Sequence, residues 1–318
     1  MPTESPDPNN SRPRVSPTVV LAFCMNVVVA MAKTAAALLT GSASMVAESA
    51  HSWADTGNQI FLLFAERKSA QPRDATHPMG YGREAYVWSM FAAFGLFAAG
   101  AAVSITNGVQ QLIAPEPASD FAIAYVVLAI AFVLEGSSFL QALRQARGDA
   151  RKQGRAILEH VLNSSDATTR AVFAEDGAAL AGIVIAFAGI LAHQLTGSPV
   201  PDALGSIAVG VLLGCIAVVL IQKNRRFLVG QAVTPEVRRS VAAQLMAGTD
   251  IVRITYLHLE FVGPRKLYLV AAVDLAGDRP ESEVARRLRA IERMIENHDV
   301  IEEAVLTLAT EEEPTLDL

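Results

Sequence analysis

Four polar residues recur at helical spacing in one stretch of this chain: Glu48, His51, Asp55 and Asn58, separated by three, four and three positions. Side chains at those spacings share one face of a helix, and the residues between them are mostly apolar or small. His51 and Asp55, one turn apart, can offer an imidazole nitrogen and a carboxylate oxygen to the same ion. That donor pair suits zinc and similar borderline metals. The plain alternative is a histidine and an acid satisfied by neighbouring helices. A metal site also needs ligands from a second helix, and Glu175 and Asp176 supply acids in a later apolar run. Adjacent helical residues point about 100° apart, so one of those two is expected to face the site. Glu135 and Lys33 are further charges in apolar surroundings. Glu135 could carry a proton and Lys33 could neutralise Glu48, while pairing between helices for stability explains either residue equally well.

The elements that hold these residues read as membrane spans. Of the 318 residues, 18% are charged, against about 25% in ordinary soluble domains. A helix needs about 20 apolar residues to cross a bilayer. Six stretches qualify: Thr18 to Leu39, Ser42 to Phe64 (the least apolar), Ala85 to Ile113, Phe121 to Leu143, Thr169 to Leu195 and Ala203 to Ile221. An ionisable group at that depth is costly and is a functional candidate by default, which tips the reading of His51 and Asp55 toward ligation. Arg67, Lys68, Arg73 and Arg83 follow the second span. Arg144, Arg147, Arg151, Lys152 and Arg155 follow the fourth, and Lys223, Arg225 and Arg226 follow the sixth. The other three connections hold no Lys or Arg. Positive charge concentrates on the cytoplasmic side, so both termini are expected there, in a cell (inner) membrane. Residues 1–17, rich in Pro, Ser and Asn, read as a disordered cytoplasmic tail. The apolar run after them is too long for a signal peptide.

Residues 18–230 thus form an all-α six-helix transmembrane bundle, and residues 231–318 read as a small cytoplasmic α+β domain. Thr234 and Pro235 are a helix N-cap and first position. Ile251 to Val262 and Leu267 to Leu275 read as strands joined at Gly263-Pro264. Arg279 to Asn297 has helical spacing, and Ala304 to Leu308 is a last strand. The order α-β-β-α-β suits a ferredoxin-like layer. Cys24 and Cys215 lie inside apolar runs and read as small buried residues rather than as a disulfide or metal pair. The net charge of −6, with no basic patch interleaved with aromatics, argues against nucleic acid as a partner. No His-Glu-x-x-His, Gly-x-Ser-x-Gly or P-loop is present. Gly80-Tyr81-Gly82 reads as turn chemistry, and without an ATP site any transport draws on an ion gradient or runs passively.

The stretch Gly41-Ser-Ala-Ser-Met-Val-Ala-Glu-Ser-Ala-His51-Ser-Trp-Ala-Asp55-Thr-Gly-Asn58-Gln resembles the cation diffusion facilitator family of metal–proton antiporters. His77-Pro-Met-Gly-Tyr-Gly-Arg83-Glu84, Glu135-Gly-Ser-Ser and Pro201-Asp202-Ala fit as well. The likeness covers nearly the whole chain and is strongest to the mitochondrial-type zinc transporter branch. It implies export of a divalent cation, foremost Zn2+, in exchange for protons by a homodimer in the bilayer, with no permanently bound cofactor. Co2+, Ni2+, Fe2+ and Mn2+ stand as alternatives. It also implies a transport site of His51, Asp55 and Asp176. Val172 stands where the family's remaining helix-five ligand falls, leaving the fourth place to water, Glu175 or Asn26. In the loop after the second span, Asp74 and His77 match part of an accessory metal site, with Tyr81 where a further histidine often occurs. The C-terminal domain holds His258 and His298, too few for the zinc pair of several relatives, and is expected to serve as a dimer contact.

Metal ligands must be deprotonated to coordinate, and histidine changes charge near neutral pH. Protons arriving from outside therefore displace metal outward from His51, Asp55 and Asp176. Two readings from other classes stay open at this point. One is a membrane-embedded hydrolase centred on the same three residues. The other is a sensor or scaffold, with Val172 as the trace of a degenerate site.

Overall fold

A computed structural model describes residues 17–115, 118–152 and 156–317. The expected tail falls outside them except for Pro17, which opens the first helix, and Arg155 falls outside them too. The helices of the N-terminal part are α1 (Pro17–Thr40), α2 (Ala43–Ser69), α3 (Glu84–Ala92), α4 (Ala98–Ile113), α5 (Phe121–Lys152), α6 (Ile157–Asn163), α7 (Ala167–Thr196) and α8 (Val200–Leu228). A π-helical turn, Ala93–Phe97, makes α3 and α4 one continuous rod.

Five of these rods are long and apolar enough to cross a membrane: α1, α3–α4, α5, α7 and α8. The chain is thus a multi-pass membrane protein. The sixth expected span, α2, has the length at 27 residues, but its polar stripe takes it out of that group. Several rods outrun their expected ends. The 32 residues of α5 extend about 48 Å, well past a hydrocarbon core of about 30 Å. Hydropathy marks only the lipid-facing length, so the basic continuation of α5 escaped the pattern. The short α6 did too, being only seven residues long.

The chain divides into two compact units. The first holds residues up to 63, Phe94–Gln141 and Glu175–Ala217. One of its cores joins α1, α2, α5 and α7 through Ala36, Ala37, Met45, Leu128, Ile183 and Ile190. Small residues let its helices approach closely, as is usual where lipid supplies no hydrophobic drive. A Cβ on Gly108 would lie 2.7 Å from the Ala203 carbonyl oxygen, and one on Gly210 would lie 2.7 Å from Ile105. Both cysteines are free and exposed, Cys24 on α1 and Cys215 on α8. This corrects the expectation that they are buried. In a membrane protein a small apolar residue can face lipid without cost, so an apolar run does not tell inside from outside.

The second unit holds Phe64–Ala93, Ala142–Ala174 and Val218–Leu318. Its C-terminal part is α9 (Pro235–Gly248), β1 (Ile251–Gly263), β2 (Lys266–Leu275), α10 (Glu281–Glu296) and β3 (Ile301–Leu308). The three strands form one sheet in the order β1-β2-β3, with β1 antiparallel to β2 and β2 parallel to β3. The element order is the expected one, and β3 begins three residues earlier than Ala304. Alternate residues Leu257, Leu259, Leu269, Ala271 and Val273 face a core closed by Leu245, Ile291 and Ile295 of the helices. The hairpin turns on Pro264 and Arg265, which takes φ 59°. Gly80 sits at φ 72°, and a Cβ on Gly82 would lie 2.6 Å from the Val262 carbonyl oxygen. The Gly-Tyr-Gly run is therefore a turn followed by a close approach to the β1–β2 hairpin.

Candidate metal site

The N-terminus of α2 starts in a prepared seat. Asp202, fully buried in the first turn of α8, accepts hydrogen bonds from Ser42 Oγ at 2.9 Å, Ser44 N at 3.1 Å and Ala43 N at 2.9 Å. Free amides at a helix N-terminus and its positive dipole end both favour a carboxylate there. His193 Nδ1 stands 4.0 Å from the same carboxylate, beyond hydrogen-bond reach. Further along, Thr34 of α1 bonds Ser49 of α2 at 2.7 Å, and Trp53 donates to Thr34 at 3.0 Å.

On this fixed helix the four stripe residues lie inside the first unit. Glu48, His51 and Asn58 are buried, and the Asp55 side chain is 13% exposed. Lys33 of α1 meets Glu48, Nζ to Oε2, at 3.0 Å, with neither side chain exposed. The other Glu48 oxygen is buried without a hydrogen-bond partner and presses on Gly182 of α7, where a Cβ would collide with it. His51 Nδ1 stands 3.5 Å from Asp55 Oδ1. Both ring nitrogens of His51 and Asp55 Oδ1 are buried and lack hydrogen-bond partners. Burying a polar group unpaired costs free energy, so these three atoms from two neighbouring side chains are the candidate donors of the stripe.

Helix α7 turns its two acids to different partners. Glu175 accepts a hydrogen bond from Asn58 Nδ2. Asp176 accepts one from Ser138 of α5 at 2.8 Å. Glu135 lies one helical turn before Ser138 on α5. Asn26 of α1 is partly buried, and no hydrogen bond ties it to this set among the described residues. The structure brings His51 and Asp55 together, and Asn58 and Glu175 together. Among the described residues it gathers no three His, Cys, Asp or Glu side chains into one metal-holding group. Val172 lines a cavity of about 1330 Å3 in the second unit, shared with His160, Lys223 and Arg226, and offers no donor.

The candidate accessory loop is closed on itself. Asp74 Oδ1 accepts from Thr76 N, Thr76 Oγ1 and His77 N, all within 2.8 Å, and Oδ2 accepts from Tyr81 Oη at 2.7 Å. The His77 ring stacks on Tyr81 at 3.9 Å between centroids. The Tyr81 hydroxyl, followed by that of Thr76, holds the Asp74 carboxyl below the usual carboxylate range. The same bond raises the Tyr81 phenol. A carboxylate with its lone pairs so engaged is a turn-former before it is a ligand. In the C-terminal domain, His258 Nε2 lies 3.3 Å from Glu260 Oε2, and Glu260 also accepts from Arg83 at 2.6 Å.

Sequence reasoning singled out Glu135-Gly-Ser-Ser and Pro201-Asp202-Ala without the partners that Ser138 and Asp202 meet, and it missed the buried Arg170. Arg170 bonds the Ser164 carbonyl oxygen and Asn224 and covers the Phe227 ring at 4.8 Å. Asp202 carried a signal, an acid just after a proline at a helix start, but that pattern points to its own helix. A serine such as Ser138 carries no signal of its own.

The chain is similar to known proteins over most of its length. Residues 19–229 match the Cation efflux transmembrane domain. Metal tolerance protein C4 of Arabidopsis thaliana is 37% identical over 73% of this chain and 51% of its own length. The mitochondrial proton-coupled zinc antiporter SLC30A9 of Homo sapiens is 35% identical over 81% of this chain and 46% of its own. The magnetosome protein MamB of Magnetospira sp. (strain QH-2) is 29% identical over 63% of this chain and 62% of its own. The chain spans about half the length of the first two. With a family match over most of its length and five apolar rods, it belongs to the cation efflux family, the cation diffusion facilitators, in the branch of the mitochondrial-type zinc antiporters.

Proposed function

We propose that this protein is a secondary transporter that exports a divalent metal cation, foremost Zn2+, from the cytoplasm in exchange for protons. The observation that carries the reading is the trio of unpartnered buried atoms, His51 Nδ1, His51 Nε2 and Asp55 Oδ1. Nitrogen and carboxylate oxygen are the donors zinc accepts, and family membership sets the hydrolase reading aside. Asp176 completes the protein ligands when it leaves Ser138, with Glu175, Asn26 or water in the fourth place. A site assembled by side-chain rotation from two helices is open to exchange, unlike a closed structural zinc centre. Protons and metal compete for the same atoms, because each ligand binds metal only when deprotonated. Glu48, Lys33 and Glu135 set the charge around that competition.

The zinc antiporter and metal tolerance names of the relatives support zinc over Co2+, Ni2+, Fe2+ and Mn2+. This reading takes α2 as a sixth span, which puts the basic connections after α2, α5 and α8 on one side, and on the positive-inside rule that side and both termini are cytoplasmic. A homodimer in the cell membrane is the assembly this reading carries. Asp74 and His77 form no second ion site in it, because Tyr81 and Thr76 occupy the Asp74 carboxylate.

The test is metal uptake by proteoliposomes holding the purified protein under a pH gradient, with the five ions offered singly and wild type compared with Asp55→Ala. Gradient-dependent flux of one ion, absent in the variant, establishes the exchange and names the cargo. Absence of flux from folded wild-type protein would refute it and favour a sensor or scaffold.

A further inference from the structure

A helix that carries an exchangeable site must keep its axial register while the site fills and empties. The seat of α2 is built for that. Asp202 is fully buried and accepts three hydrogen bonds from Ser42, Ala43 and Ser44, and its backbone carbonyl accepts a fourth from Ser44 Oγ at 2.8 Å. The Ser44 hydroxyl sits in a notch made by glycines. A Cβ on Gly205 of α8 would lie 2.6 Å from Ser44 Oγ, and a Cβ on Gly189 of α7 would lie 3.1 Å from it. The carboxylate thus caps a helix other than its own, and the two glycines hold the serine against both α7 and α8. The stripe residues lie further along the same helix, so a shift at the seat is carried to them along a stiff rod. The polar tie between α2 and α7, Asn58 to Glu175, is a single contact. The seat on α8 joins several donors of α2 to one carboxyl group.

We propose that Asp202 is a positioning residue for the transport site. It pins the N-terminus of α2 to the α7–α8 pair, so that opening of the site occurs at the Asn58–Glu175 tie while the seat stays closed. This rests on the transport reading above, and two readouts keep the two apart.

The first readout is the half-saturating zinc concentration in proteoliposomes. Asp202→Asn keeps the shape but sets an amide group against the α2 N–H donors. Mutating groups that orient metal ligands typically costs about 10- to 100-fold in metal affinity. We expect half-saturation to rise on the order of tenfold, with a smaller change in maximal rate. Gly205→Ala, which leaves Asp202 intact, is expected to raise it similarly by pushing on Ser44. Ser44→Ala, which removes only the bond to the Asp202 carbonyl oxygen, is expected to raise it less than Gly205→Ala, and the double variant Gly205→Ala/Ser44→Ala to fall back to the Ser44→Ala value, since the methyl group then has no hydroxyl to push on. The second readout needs no transport. Spin labels on Ile60→Cys and Leu204→Cys, with Cys24 and Cys215 replaced by serine, report the α2–α8 distance, which is expected to broaden in Asp202→Asn.

Folded Asp202→Asn protein with wild-type half-saturation and an unchanged distance overturns the proposal. So does a double variant no better than Gly205→Ala. If Asp202→Asn does not fold, the glycine–serine pair decides alone. A broadened distance in a protein that moves no metal upholds the positioning role and sinks the transport reading instead.

Discussion

Lys33 of α1 and Glu48 of α2 form an ion pair of 3.0 Å in which neither side chain is exposed. Removing one partner of such a pair leaves an uncompensated buried charge, typically at a cost of about 3–5 kcal/mol, whereas replacing both with neutral groups of similar size is often tolerated. Lys33→Met is therefore expected to lower unfolding stability in detergent by about that amount. Lys33→Met/Glu48→Gln should recover most of it. Equal stability of the single and double variants would show that the pair does not hold α1 to α2.

Asp55→Ala and Asp176→Ala are each expected to abolish metal flux in proteoliposomes while leaving the protein folded. Two normal rates would show that the ligands lie elsewhere. His51→Asp replaces a nitrogen donor with oxygen, so the ratio of manganese to zinc flux should rise. An unchanged ratio would remove His51 from the ligand set.

In the proposed site Asp176 leaves Ser138 on binding metal. Ser138→Ala deletes a hydrogen bond to a charged acceptor, worth about 1.5–3 kcal/mol at most. Apparent zinc affinity in equilibrium titration is therefore expected to rise by up to about 10- to 100-fold. A fall in affinity would mean that Ser138 supports the metal-bound form rather than the free one.

Asp74 offers a pH test outside the membrane-spanning helices. Its folded pKa lies below its unfolded value, chiefly through the Tyr81 hydroxyl. The stabilisation it supplies is therefore full above the ordinary carboxylate range and is lost only as pH falls through the lower folded value. The turn around Asp74 should hold at pH 5. In Tyr81→Phe, the carbon-13 shift of the Asp74 carboxyl should titrate at higher pH than in wild type. The Tyr81 phenol shifts upward, so its share persists at neutral pH and is lost as pH rises through the folded value. Identical Asp74 titrations in the two proteins would contradict the hydrogen bond.

Gly82 approaches the β1–β2 hairpin backbone to backbone. Gly82→Ala would set a methyl group 2.6 Å from the Val262 oxygen and 2.7 Å from Gly263 Cα. Overpacking of this kind costs about 1–3 kcal/mol. A drop in thermal stability is expected, and a neutral outcome would show that the hairpin is free to move away.

Much was legible in the residues alone because it depends on local periodicity. Apolar runs long enough for a bilayer named the rods, and the three-four-three spacing put Glu48, His51, Asp55 and Asn58 on one face without knowledge of any neighbour. Alternation marked β1 and β2, and an unusually polar stripe among apolar helices marked the candidate site. Which groups those residues meet depends on how separate helices rotate and cross, and no local pattern encodes that. Only the tertiary structure turned Glu175 toward Asn58 and Asp176 toward Ser138, left both His51 ring nitrogens and Asp55 Oδ1 without hydrogen-bond partners, and brought Asp202 to the N-terminus of a helix 159 residues away. Helix rotation is set by side-chain packing across many positions at once, so two adjacent acids that look equivalent in the chain acquire different partners in the fold.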